Sequence, residues 1–149
     1  MTLRTSTEVR VSLTPVASQF AVACMCLLVS SIFISPAHAA NYTWDASGSD
    51  PLDDGAGTWA SSGGTNWFNG TTYGAWGNTT SDVAFFGVGS GAAGTVTVSG
   101  SVTTNGLTFN AAGSGNYTLS GGTIGLGGTT PTVTVNAAGT TTISSLASR

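Results

Sequence analysis

Four of the six carboxylates in this 149-residue chain fall in one short stretch, "DASGSDPLDDG", at Asp45, Asp50, Asp53 and Asp54. Two carboxylates held about 5 to 9 Å apart can cleave a glycosidic bond. A looser set of carboxylates and carbonyls can hold calcium through six to eight oxygens. The spacing matches neither the EF-hand loop nor the glycine-rich nonapeptide of calcium β-rolls, and aspartate between glycine, serine and proline is ordinary turn chemistry. Solvated surface turns are therefore the expectation for these residues. His38, Cys24 and Cys26 all precede Ala40, so the rest of the chain has no imidazole or thiol for a transition metal. It also lacks any histidine or lysine that could activate its many hydroxyls, so the usual triads and dyads are absent. No enzyme activity, catalytic residue, metal site or cofactor is expected.

The second feature with chemical potential is "GTWASSGGTNWFNGTTYGAW", Gly57 to Trp76. Trp59, Trp67, Tyr73 and Trp76 could present flat apolar faces with polar tips, a platform on which sugar rings stack. The same side chains could instead bury 150 to 250 Å² each and close the open end of a stacked β structure, whose first coil would otherwise expose its interior and a free strand edge. Their place before the alternating segments favours the cap. The glycan platform stays as the alternative, and a polysaccharide or cell-surface contact is the only partner it suggests.

Charge and leader narrow the setting. Arg4 and Arg10 precede the apolar run "FAVACMCLLVSSIFI", Phe20 to Ile34, which ends at Ser35-Pro36 and at Ala37-His38-Ala39. This is the pattern of a secretory signal peptide over residues 1–39, cleaved between Ala39 and Ala40 and read by the export machinery. At 15 residues the run is short for a membrane span of about 20. After cleavage one arginine, Arg149, stands against five aspartates, a net charge of −4. Nucleic acid is excluded as a partner, since binding it requires neutralising several phosphates. With no cysteine left, an exported product must fold without disulfides.

All 22 glycines lie after residue 39, and nothing there has a helical period; glycine and threonine are poor helix formers. Residues 40–89 are aromatic and irregular. Residues 90–149 carry short alternating segments: "TVTVS" (95–99), "LTF" (107–109), "YTLS" (117–120), "TIGL" (123–126), "TVTVN" (132–136) and "TTIS" (141–144). Period two is the mark of half-buried strands. It points Val96, Val98, Leu107, Phe109, Tyr117, Leu119, Ile124, Leu126, Val133, Val135 and Ile143 inward. "GAAG" (91–94) and "NAAG" (110–113 and 136–139) recur at intervals of 19 and 26 residues, as one unit repeated along a stack would. The expected fold is all-β, a parallel β-helix or solenoid with an aromatic amino-terminal cap. Against this, Asn105-Gly106 is a strong hairpin signal, and an antiparallel β-sandwich remains the alternative.

The run from Gly94 to Ser145, with "TWDA", "TNWFN" and "SDVAFFG" upstream, resembles the amino-terminal region of bacterial proteins carrying autotransporter-associated β-strand repeats. The resemblance extends from Trp44 to Ser145. It implies a right-handed parallel β-helix in a large exported surface protein, with this chain a non-catalytic, adhesin-like passenger segment secreted or held at the cell surface. Fuller repeats are not seen beyond "YTLSGGTIGL", and the chain is too short for a transmembrane barrel, which needs many strands of about 10 residues. The repeat region is therefore expected to continue past residue 149, with outer-membrane attachment through parts outside this chain.

Overall fold

The structure is a computed structural model that describes residues 39–148. The leader run and Ala37, as well as Arg149, lie outside the described residues. Strands begin at β1 (Asn41–Trp44) and continue through β2 (Gly57–Ala60), β3 (Trp67–Phe68), β4 (Tyr73–Gly74) and β5 (Val83–Phe86). They are followed by β6 (Thr95–Thr104), β7 (Gly106–Phe109), β8 (Thr118–Leu126), β9 (Thr132–Val135), β10 (Thr142–Ile143) and β11 (Leu146–Ser148). No helix occurs among the described residues, as the composition implied.

The strands form two open sheets. One runs β4-β3-β1-β5-β7-β9; the other runs β10-β8-β6-β2, with β11 also on β8. Pairing is antiparallel at β1/β3 and β3/β4 and parallel in every other ladder, β1/β5/β7/β9 and β2/β6/β8/β10. The chain passes between sheets repeatedly, so strands adjacent in sequence are seldom adjacent in a sheet. Asn105 is the clearest case: it separates β6 from β7, which lie in different sheets. The hairpin that Asn105-Gly106 signalled does not form there. Instead Thr104, buried just before it, places its hydroxyl 2.9 Å from the Asp82 carbonyl and accepts the Gly106 N–H at 3.2 Å, so that side-chain bonds hold the corner.

Parallel register stacks like on like. Ala84, Leu107 and Val133 align across β5, β7 and β9, as do Phe86, Phe109 and Val135. In the other sheet Val96, Leu119 and Ile143 align. The apolar faces meet in one core that includes Trp44, Trp59, Trp67, Trp76, Phe86, Val96, Leu119 and Ile124. Strict alternation breaks once. Between β6 and β8 the register shifts after Val98, two residues (Ser99, Gly100) facing the single Gly122. Gly100 takes a left-handed φ of 73° there, and a Cβ on Gly122 would collide with the Gly100 carbonyl, so the bulge demands glycine on both strands. It explains why Leu119 and Ile124, five apart on β8, both point inward.

The 26-residue interval between the two NAAG motifs equals the β7/β9 stacking offset, Gly106 on Thr132. The 19-residue interval does not correspond to stacking: Ala92 bridges Ser114, 22 residues on.

Of the residues expected inward, Val96, Val98, Leu107, Phe109, Tyr117, Leu119 and Ile124 are buried and Leu126 is half-buried. Val133, Val135 and Ile143 are 46%, 48% and 37% exposed. They occupy the interior columns, but on edge strands β9 and β10, where no described strand lies beyond them. Period two assigns a face; burial needs a neighbour on that face. Replacing Leu119 by Ala should therefore lower unfolding free energy by about 2 to 5 kcal/mol, whereas Val133→Ala should stay within about 1 kcal/mol, since surface changes are usually small. Urea denaturation of the two variants checks this, and equal losses would contradict the edge position of β9.

Candidate functional site

The aromatic stretch folds inward. Trp59, on β2, reaches across to Trp67 on β3 and to Trp76, with ring centroids 5.0 Å apart in each case. Trp67 and Trp76 lie 4.7 Å apart, and Trp44 meets Trp67 edge-on at 5.3 Å. Phe86 touches three of the four indoles and stacks on Phe109 at 5.1 Å with planes 12° apart, carrying the cluster into the alternating strands. Two indole N–H groups reach carbonyls, Trp44 Nε1 donating to Gly55 O at 3.1 Å and Trp76 Nε1 to Thr103 O at 2.9 Å, whereas Trp59 Nε1 is buried without a partner. All four tryptophans are buried. Of the four residues that could form a platform, only Tyr73 keeps part of its ring at the surface; it lies 4.9 Å from the half-buried Phe68, and its hydroxyl donates to Asp50 at 2.8 Å.

The aspartates divide differently from the solvated turns expected of them. Asp50 is exposed and Asp53 half-buried, but Asp45 and Asp54 are buried, and so is Asp82 downstream. The correction has a physical basis: buried carboxylates need donors, and turns offer clusters of unpaired backbone N–H. Asp54 is the most connected. Its Oδ1 accepts Val88 N–H at 3.0 Å and the Tyr117 hydroxyl at 2.8 Å, while its Oδ2 accepts Ser90 N–H at 3.0 Å and Gly113 N–H at 3.3 Å. The Tyr117 oxygen in turn accepts Gly55 N–H at 3.2 Å. One carboxylate thus fastens together segments around residues 54, 88–90, 113 and 117. Asp45 Oδ1 accepts Ser47 N–H and hydroxyl, both at 2.8 Å, and Asp53 N–H at 3.2 Å. Among the described residues no group of three or more His, Cys, Asp or Glu is placed to hold a metal ion.

Sequence reasoning missed the Asp54–Tyr117 node. The one available signal was a tyrosine where the other alternating segments carry Val, Leu, Ile or Phe, since a buried phenol needs a partner for its hydroxyl. Burial, and then the bond to Asp54, push the Tyr117 phenol well above the ordinary tyrosine value. Tyr42 is likewise raised, by burial and by the charge of Asp82.

A cavity of about 360 Å³ lies elsewhere, lined by Ala39, Thr80, Ser81, Asn105, Thr129 and Thr130 among others. Asn105 Oδ1 is buried without a hydrogen-bond partner.

This is an all-β protein with two open, mainly parallel-paired sheets, an aromatic interior and carboxylates bound by backbone amides. Over 126 residues, 80% of its length, it is 39% identical to the adhesin BmaC autotransporter of Brucella suis biovar 1 (strain 1330), of which that stretch is 3%. No family model and no solved structure matches the chain. The likeness agrees with the resemblance to autotransporter-associated proteins seen in the residues, and it points to a surface-exposed or secreted protein.

Two variants test the Asp54 node. Asp54→Ala removes the acceptor of the buried Tyr117 hydroxyl and should lower unfolding free energy by about 1 to 3 kcal/mol, the N–H groups of exposed Ser90 and Gly113 turning to water instead. A phenol with a raised folded pKa stabilises fully below its unfolded value near 10, and that contribution is lost as pH rises through the folded pKa. Wild-type stability should thus fall above about pH 10, and Tyr117→Phe, less stable at neutral pH, should show a shallower alkaline fall. Denaturant titrations at pH 7 to 11.5 decide the matter, parallel curves counting against the node.

Proposed function

We propose that the chain is a non-catalytic structural segment near the amino terminus of an exported, autotransporter-type adhesin passenger. The single observation that carries this reading is the alignment of like interior residues along parallel ladders. Phe86, Phe109 and Val135 in one sheet and Val96, Leu119 and Ile143 in the other form columns that further strands can lengthen without changing the cross-section. That is the geometry expected of a right-handed parallel β-helix, and it suits an elongated stalk. The adhesin relative supports the same role and a place at the cell surface, with outer-membrane attachment through regions outside this chain.

Within this reading residues 1–39 are the leader and residues 40–89 the cap. Residues 90–149 begin a repeat region that continues beyond them. Burial of Trp59, Trp67 and Trp76 supports the cap over a glycan platform, because a side chain enclosed by other rings offers no face to a sugar. Exposed Val133, Val135 and Ile143 support a stack that extends past β9 and β10.

Expression with its own leader in a Gram-negative host, followed by amino-terminal sequencing and antibody labelling of intact cells, tests export. The product should begin at Ala40 and be secreted or surface-labelled. A product that retains Met1 in the cytoplasm would overturn the reading. Trp67→Ala, deleting a buried aromatic, should lower the stability of the secreted chain by about 3 to 5 kcal/mol. Tryptophan emission of the parent should not change with added polysaccharide. A Trp67→Ala chain that melts like the parent, together with loss of a saturable glycan response, would favour the carbohydrate-binding module instead.

A further inference from the structure

We propose that the amino group created by leader removal is the counterion of buried Asp82, so that maturation installs an ion pair which fastens β1 into the fold. The inference rests on cleavage between Ala39 and Ala40 and goes beyond the passenger role.

Asp82 is 3% exposed. Its Oδ2 accepts Thr79 N–H at 3.0 Å, and its Oδ1 faces the backbone nitrogen of Ala40 at 3.4 Å. No lysine, arginine or histidine occurs between residues 39 and 148, so no side chain described here can neutralise this carboxylate. Burying an uncompensated charge is costly. The atom already at Oδ1, however, is the nitrogen that cleavage would convert. Hydrolysis of the Ala39–Ala40 peptide bond consumes one water and leaves a carboxylate on Ala39 and an ammonium on Ala40. One neutral N–H donor becomes three donors bearing a full positive charge, and a hydrogen bond between charged partners is about twice as strong as a neutral one.

The surroundings fix that nitrogen in place and leave room for its added protons. The Ala40 carbonyl accepts Val83 N–H at 3.0 Å, and the next residue, Asn41, pairs with Val83 at the head of the β1/β5 ladder. Ala40 is thus held beside Asp82 by residues that cleavage does not touch. Ala39 lines the 360 Å³ cavity with Thr80, Ser81 and Asn105, and the orphan acceptor Asn105 Oδ1 belongs to the residue whose N–H binds the Asp82 carbonyl at 2.7 Å. Departure of Ala39 opens this polar space next to the new ammonium. The other titratable group facing Asp82 is the Tyr42 phenol, which is raised and so neutral through the range in which an α-amine titrates.

The chain contains no lysine, so after hydroxylamine has removed any tyrosine ester, acetylation of the secreted product is confined to the α-amine. Against Asp82 the amine should titrate above its ordinary range of about 7.7 to 8.0, and each unit of elevation slows acetylation near neutral pH about tenfold relative to a free peptide beginning Ala-Asn-Tyr. A raised amine stabilises below its unfolded pKa and loses that contribution as pH rises through the folded value. Acetylation should accordingly lower the unfolding midpoint of the parent at pH 7 and leave that of Asp82→Asn unchanged. An amine that reacts at the free-peptide rate, or equal effects of acetylation on parent and variant, would overturn the ion pair. The rate measurement needs only the parent, so it decides even if Asp82→Asn does not fold. A secreted product beginning elsewhere than Ala40 would overturn the cleavage position and the proposal with it, leaving the passenger reading intact.

Discussion

The described fold turns on how it buries carboxylates without cations. Asp54 lies where the aromatic half of the chain meets the alternating half, and it takes three backbone N–H groups and a phenol in place of a basic partner. Amide donors are neutral, fixed by the chain and already in need of acceptors, so one charge satisfies several turns at once. The donors come from two connections distant in sequence: Val88 and Ser90 lie between β5 and β6, Gly113 and Tyr117 between β7 and β8.

Around this node the parallel ladders decide where side chains go. A parallel stack places each residue over its counterpart, so Phe86 over Phe109 and Val96 over Leu119 become columns rather than isolated contacts. The four tryptophans fill the wider space where β1, β2 and β3 converge. There the antiparallel excursion through β3 and β4 breaks the parallel order, and large rings occupy a volume that small alternating residues would leave empty.

Chemistry follows from the same economy. The tryptophans are buried, Tyr73 is half-buried, and the oxygens of buried Asp54 and Asp82 accept hydrogen bonds, whereas Asp45 Oδ2 is buried without a partner. What remains at the surface is mostly hydroxyl, amide and glycine backbone.

Composition and period alone determined a good deal: an all-β chain, no helix among the described residues, and inward faces for Val96, Val98, Leu107, Phe109, Leu119 and Ile124. These are local properties, since glycine and threonine disfavour helix and alternation assigns a face whatever the partner strand is. The tertiary structure decided the rest. Asn105-Gly106 carries the backbone freedom for either a hairpin or a corner, and the separate sheets joined by β6 and β7 select the corner. Val133 has the same pattern as Val96, yet it is exposed because burial depends on a neighbouring strand and not on period. Asp45, Asp54 and Asp82 look like turn residues in one dimension. Only folding brings the amides of residues 88, 90 and 113 to the Asp54 oxygens, across 34 to 59 positions over which a linear pattern carries no signal.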